Sequence, residues 1–298
     1  MTAAASAGCT VVGPPPTSHH DPSSRSRSSA PGRASRSASP SRSHRPHQVS
    51  PFVALAGYLA SRHGTITAAV YDRNTGQTWV YHPGVAEETA SIVKVEILGA
   101  ALRKAAQSGN TSPTALPQDQ QALIPTMIEN SDNTAATEMY AKVGGASGVK
   151  TFDLAAGLHD TQPSSVTYIP GTTLPGWGLT TTTARDEVTL VRRFAYRNPL
   201  LSDADRAYGL SLMEHVESDQ AWGVSGGVPG GTTVALKNGW LPLAGAGWQV
   251  NSIGWVDGHG RNYVLAVLTS HNPDEPYGID TITAIAAKMY AALGPHHQ

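Results

Sequence analysis

The sequence calls for an α+β fold, on three observations. Strand-like runs stand near both ends of the chain, the long stretch between them (about 91 to 230) is mostly helical, and an amphipathic helix lies outside the strands at each end. Residues 51 to 63 begin with Pro51, place Phe52, Leu55, Tyr58 and Leu59 at helical spacing and stop at Gly64. Two β-rich runs follow, Thr65 to Tyr71 and Gln77 to Tyr81. The turn cluster Asp72-Arg73-Asn74-Thr75-Gly76 separates them, which makes a hairpin. Towards the other end Thr232 to Leu236, Trp248 to Val256 and Tyr263 to Thr269 read as three more strands. Asp257-Gly258-His259-Gly260 turns between the last two. A final helix, Ile279 to Leu293, carries Ile282, Ile285, Ala286 and Met289 on one side. In the middle, Thr180 to Thr183 before Ala184-Arg185-Asp186-Glu187 has the form of a helix start with acids in its first turn. No internal repeat is visible.

Three short strings carry the chemistry: Ser91-Ile92-Val93-Lys94, Ser131-Asp132-Asn133 and Lys237-Asn238-Gly239. The first opens an apolar, glycine-free run (Ile92, Val95, Ile97, Leu98) that reads as a buried helix. Positions i and i+3 share a helix face, so Lys94 points back at Ser91. At a helix N-terminus the free N–H groups and the positive dipole end favour an oxyanion. A serine hydroxyl needs a neighbouring base to become a nucleophile. A lysine can serve if burial and a second cation leave it neutral, and Lys237 is a candidate for that cation. Any one string alone has an ordinary explanation, Ser91 as a simple helix cap for instance.

Taken in series, the three strings resemble those of class A β-lactamases and penicillin-binding proteins, whose third motif is Lys-Thr-Gly. The resemblance covers residues 51 to 293. It implies a five-stranded antiparallel sheet flanked by N- and C-terminal helices, with an inserted all-helical lobe and the site at the junction. It also implies roles. Ser91 would be the nucleophile, Lys94 the acylation base, and Ser131 the proton carrier to the leaving group, with Lys237 orienting the Ser131 hydroxyl. Asn133, Asn238, Gly239 and Trp240 would bind substrate, and Asp132 would buttress the loop. The backbone N–H groups of Ser91 and Trp240 would form the oxyanion hole.

The departures matter as much. The family's class A members free the acyl-enzyme with a glutamate on a loop between the second and third motifs. Thr161 to Gly178 here contains no Asp, Glu, His, Lys or Arg. Losing a general base removes roughly 10² to 10⁴ in rate, so slow deacylation is expected. Asp160 and Tyr168 are candidates for positioning water, though a turn residue and a packed aromatic explain them as well. Asn238 stands where Thr or Ser is usual, and Trp240 where a small residue is common. No arginine lies between Trp248 and Val256, which leaves Lys237 and Arg261 as the cations nearby in sequence. Trp240, Trp248 and Trp255 read either as strand core or as an aromatic wall for a stacking ligand. The interval from Ser91 to Ser131 is short for class A, which suggests a more open cleft.

Composition limits the partners. With 298 residues, 40% hydrophobic content and a formal charge of −1, the chain can bury a large core and has no overall field to attract nucleic acid. Residues 1–48 form a Ser/Arg/Pro-rich segment expected to be disordered, ahead of a catalytic domain at 49–298. Between 17 and 48 six arginines face only Asp21. The single cysteine, Cys9, excludes an internal disulfide. Ser6-Ala7-Gly8-Cys9 has the small residues of a lipoprotein processing site, yet the eight residues before Cys9 lack the basic start and apolar core that export requires. Either the true start lies elsewhere or Cys9 is incidental. The histidines show no metal-binding spacing, so neither a metal nor a cofactor is expected. The reading is therefore a monomeric, extracytoplasmic serine hydrolase acting on a small molecule or a peptidoglycan peptide, with wall or membrane attachment through the N-terminal segment. A DD-peptidase, a broad esterase and a non-catalytic wall or antibiotic sensor are its competitors.

Overall fold

A computed structural model describes residues 49–109 and 116–296. The expectations for residues 1–48, including Cys9 and the arginine-rich stretch, lie outside the described residues.

The chain enters through helix α1 (Phe52–Ala60) and the hairpin β1 (Thr65–Asp72) and β2 (Gln77–Tyr81), then a short strand β3 (Ala86–Glu88). The helical lobe follows: α2 (Lys94–Gln107), α3 (Gln118–Glu129), α4 (Asn133–Val143) and α5 (Gly145–Ala156). A long loop then leads to β4 (Thr181–Thr183), α6 (Ala184–Ala195) and α7 (Asp203–Glu214). The chain returns to the sheet with β5 (Thr233–Leu243), β6 (Gly247–Gly258) and β7 (Arg261–Asn272), and closes with α8 (Glu275–Leu293). The five long strands form one antiparallel sheet in the order β2-β1-β7-β6-β5, while β3 and β4 pair separately. This is the expected α+β architecture, with strands longer than the sequence suggests: β5 runs on through Lys237, Asn238 and Gly239.

The central strands are buried on both faces, so β1 from Ala68 to Tyr71 and β7 from Tyr263 to Leu268 are apolar without alternation. One face of β1, with Ala69 and Tyr71, joins a core shared with α2 to α7. The other, with Ile66, Ala68 and Val70, joins a core shared with α1 and α8. Helix starts are set locally. Thr183 Oγ1 accepts the Asp186 N–H at the start of α6, and Ser202 and Asp205 make a reciprocal capping box at α7. Among the described residues no helix is long and apolar enough to cross a membrane.

Candidate active site

Ser91 lies in a 3₁₀ turn, Ala90–Val93, that feeds directly into α2, so the i to i+3 geometry expected of a helix start is kept. Ala90 is held at φ 48°, a left-handed conformation that a non-glycine residue rarely adopts. The turn presses against β5 at Gly239. A Cβ there would stand 2.5 Å from the Ser91 nitrogen and 2.8 Å from the Thr89 carbonyl oxygen, which explains the glycine of the third string.

Ser131 precedes α4 and is itself at φ 55°. Asp132 is the N-cap of that helix, its Oδ1 accepting the Ala135 N–H at 2.6 Å, so it holds the loop in shape. Lys237 projects from β5 on the face that meets the helical lobe, the face it shares with Ala235 and Leu241.

These elements converge on one polar cluster. Lys94 Nζ lies 3.0 Å from Ser91 Oγ, 3.1 Å from Ser131 Oγ, 2.9 Å from Asn133 Oδ1 and 2.5 Å from the Ser131 carbonyl oxygen. Lys237 Nζ lies 2.8 Å from Ser131 Oγ and also donates to the Asn238 carbonyl. Ser131 Oγ thus bridges two amines that are both 0% exposed. Burial and the neighbouring Lys237 push Lys94 down to about 6, and burial pushes Lys237 down to about 7. Near neutral pH Lys94 is therefore largely an uncharged amine, able to take a proton from Ser91.

Asn133 and Trp240 line the cleft, but Asn238 on β5 is placed differently from what the resemblance implies. Asn238 is 1% exposed and turned to the other side of the strand, its amide donating to the carbonyls of Gln220 and Trp222. The Trp240 ring packs against Trp222, with centroids 6.0 Å apart. Trp248 joins the core under α8. Trp255 joins the other core and donates to Asn262 Oδ1. Trp248 and Trp255 thus pack against the two cores, whereas Trp240, half-buried, also lines the cleft beside Ser91.

The loop before β4 supplies a residue that the sequence did not single out. Trp177, buried in a 3₁₀ turn, sets its ring with the centroid 5.0 Å from Lys94 Nζ. Its Nε1–H donates to Thr137 Oγ1 at 3.0 Å, and Thr137 in turn donates to the Asn133 carbonyl. The two candidates for positioning water, Asp160 and Tyr168, are not among the residues lining the cleft. Tyr168 is 60% exposed, and Asp160 spends its backbone N–H on Asp186 Oδ2. A second such residue is Gln220, which faces Lys237 Nζ at 3.5 Å through Oε1 and donates from Nε2 to the Asn130 carbonyl. Neither residue belongs to a local pattern. Only the absence of acids from 161 to 178 pointed to that loop at all.

A small cleft open to solvent runs past Ser91, walled by Ala90, Asn133, Ile169, Leu174, Trp177, Trp240 and Leu241 among others. An α+β fold with the helical lobe inserted between sheet strands, and a Ser-Lys-Ser-Lys cluster at their junction, defines a β-lactamase-like hydrolase scaffold. A model of the Beta-lactamase enzyme family matches residues 114–293, more than half of the chain, and the chain belongs to that family. Among curated proteins it is similar to the Mycobacterium tuberculosis protein named "Putative lipoprotein LppW", 28% identical over 243 residues that span 78% of this chain and 71% of that one. Among solved structures it is similar to the TLA-1 extended-spectrum β-lactamase (TM-score 0.71, 20% identity, 82% of this chain and 98% of that chain). It is also similar to the class A β-lactamase from Mycobacterium abscessus (TM-score 0.69, 22% identity, 82% and 100%) and to PBP-A (TM-score 0.68, 21% identity, 82% and 95%). At these identities the structural matches establish the shared fold.

Proposed function

We propose that the protein is a serine acyl-transfer hydrolase, acylated at Ser91 by β-lactams or D-alanyl-peptide-like amides and slow to release the acyl group. The observation that carries this reading is the position of Lys94 Nζ, within 3.1 Å of both serine hydroxyls, with Lys237 2.8 Å from Ser131. Neutral Lys94 takes the Ser91 proton as Oγ bonds to the substrate carbonyl carbon. The developing oxyanion is met by the backbone N–H groups of Ser91 and Trp240, each such donor contributing about 3 to 4 kcal/mol in the transition state. The carbon–nitrogen bond then breaks, and Ser131 delivers a proton to the leaving nitrogen and is reprotonated from the amines beside it. Asn133, beside the cleft mouth, serves the substrate's amide, and Gly239 lets the strand approach closely enough for the oxyanion hole to form.

Release requires water and a base. None of the side chains lining the cleft is a carboxylate or an imidazole, and Trp177 covers Lys94 with an apolar ring. A long-lived acyl-enzyme follows. Similarity to a protein named as a lipoprotein supports an extracytoplasmic setting.

Time-resolved intact mass spectrometry of the penicillin-treated protein tests the reading. A covalent adduct on Ser91, absent in Ser91→Ala and persisting for many minutes, is expected. Lack of any adduct would leave a sensor module instead, and release within seconds would contradict slow deacylation.

A further inference from the structure

Part of the apolar lining beside Ser91 belongs to neither main core. Ala90, Ile169 and Leu241 are buried in a small cluster of their own, with Leu174, Leu179 and Leu243 packed around it, where the long loop faces the end of β5. Most of this cluster opens onto the cleft. Apolar side chains set along the cleft beside a nucleophile give an acyl chain a surface to bury against.

The same cleft offers no cation to pair with a carboxylate. No charged side chain lines it among the described residues, and both site amines are buried behind the serines. The Asn238 amide is committed to two carbonyls on the far side of the strand. Arg261 pairs with Gly258, whereas Lys237 pairs with Ile253, an offset of about 17 Å along β6 between residues two strands apart. Its guanidinium lies over the Tyr290 ring at 4.0 Å.

We infer that this site selects its acyl donor by an apolar acyl chain lying along Ile169, Leu174 and Leu241, and gains little from a substrate carboxylate. The ligand class is uncharged esters and amides of aliphatic or aryl-substituted acids. The inference rests on the acyl-transfer reading above. In the step itself Ser91 Oγ bonds to the carbonyl carbon, the bond to the alcohol or amine breaks, and the leaving group departs with the proton that Ser91 gave up.

Two measurements test it on the whole chain. With p-nitrophenyl esters from acetate to octanoate, the burst of p-nitrophenolate reports acylation independently of release. Its second-order rate constant should climb about fourfold per added methylene until the cleft is filled. Leu241→Asn and Ile169→Asn should flatten that climb. With penicillin G and its methyl ester, Ser91 should be labelled at rates within threefold of each other. A series without chain-length dependence, or a methyl ester slower by tenfold or more, would overturn the selectivity while leaving acyl transfer intact. No labelling of Ser91 by any of these probes would instead overturn the acyl-transfer reading, and the selectivity with it.

Discussion

At the scale of single residues, the site is governed by how two lysines share a dry space. Lys94 sits at about 6 and Lys237 at about 7, because burial penalises both charges and Lys237 opposes a charge on Lys94. If Lys94 must be neutral and Lys237 charged, acylation rises with pH through about 6 and falls above about 7. The expected profile of burst rate against pH is a narrow bell whose two limbs belong to the pair jointly. A profile still climbing at pH 9 would remove Lys237 from the mechanism as a cation. Trp177 makes a separate prediction. Its ring lies beside Lys94, where a carboxylate could hold water against the acyl ester. Trp177→Glu should shorten the lifetime of the penicillin adduct at least tenfold, read by mass spectrometry over time. An unchanged lifetime would show that the missing base is not what limits release.

Among the elements, the contact between β5 and the Ala90–Val93 turn sets the oxyanion geometry, and Gly239 is its closest point. Gly239→Ala places a methyl group against backbone atoms that cannot rotate away. It should cost about 1 to 3 kcal/mol in stability and reduce acylation far more than a simple loss of stability would. Circular dichroism melting alongside labelling kinetics separates the two effects. Near-normal labelling would mean that the turn and the strand can part without consequence. Helix α4 shows the same dependence on one residue. Asp132 contributes about 1 kcal/mol as its cap and in doing so fixes Ser131 and Asn133 on either side of itself.

The whole molecule carries an unusual titration. Glu96 of α2, Asp153 of α5 and Glu187 of α6 meet inside the helical lobe, all three buried. Burial first, and then the charge of Asp186, raises Asp153 and Glu187 each to about 8, and burial with the neighbouring Asp153 and Glu187 holds Glu96 well above the carboxylate range. Asp186, Tyr140 and Lys150 are the other titratable groups facing them. Carboxyls that keep their protons when folded and lose them when unfolded add stability below their ordinary range of about 4. That contribution fades as pH rises through about 8. The two site lysines act in the opposite sense, but only above about 6. Three carboxyls therefore dominate between pH 5 and pH 7, and the melting temperature should fall across that interval. Glu187→Gln, which keeps the shape and removes one titration, should make the fall shallower. A melting temperature that rises from pH 5 to pH 7 would contradict the arrangement.

The parts that could be read from the residues alone are those governed by neighbours along the chain. Periodicity separates the terminal strands from the helical middle. A spacing of three puts Lys94 beside Ser91, and an aspartate ahead of Asn133 caps a helix, because each of these effects acts within a turn or two of backbone. The family's three strings added the order in which distant pieces must meet. What folding alone settled is which side chains arrive together from far apart. Trp177 came to lie over Lys94, Gln220 to face Lys237, Asn238 to turn away from the cleft, and three acids to share one interior. Such meetings leave no local trace, since they depend on the face each residue presents after two layers have packed, and a one-residue change of strand face reverses the outcome.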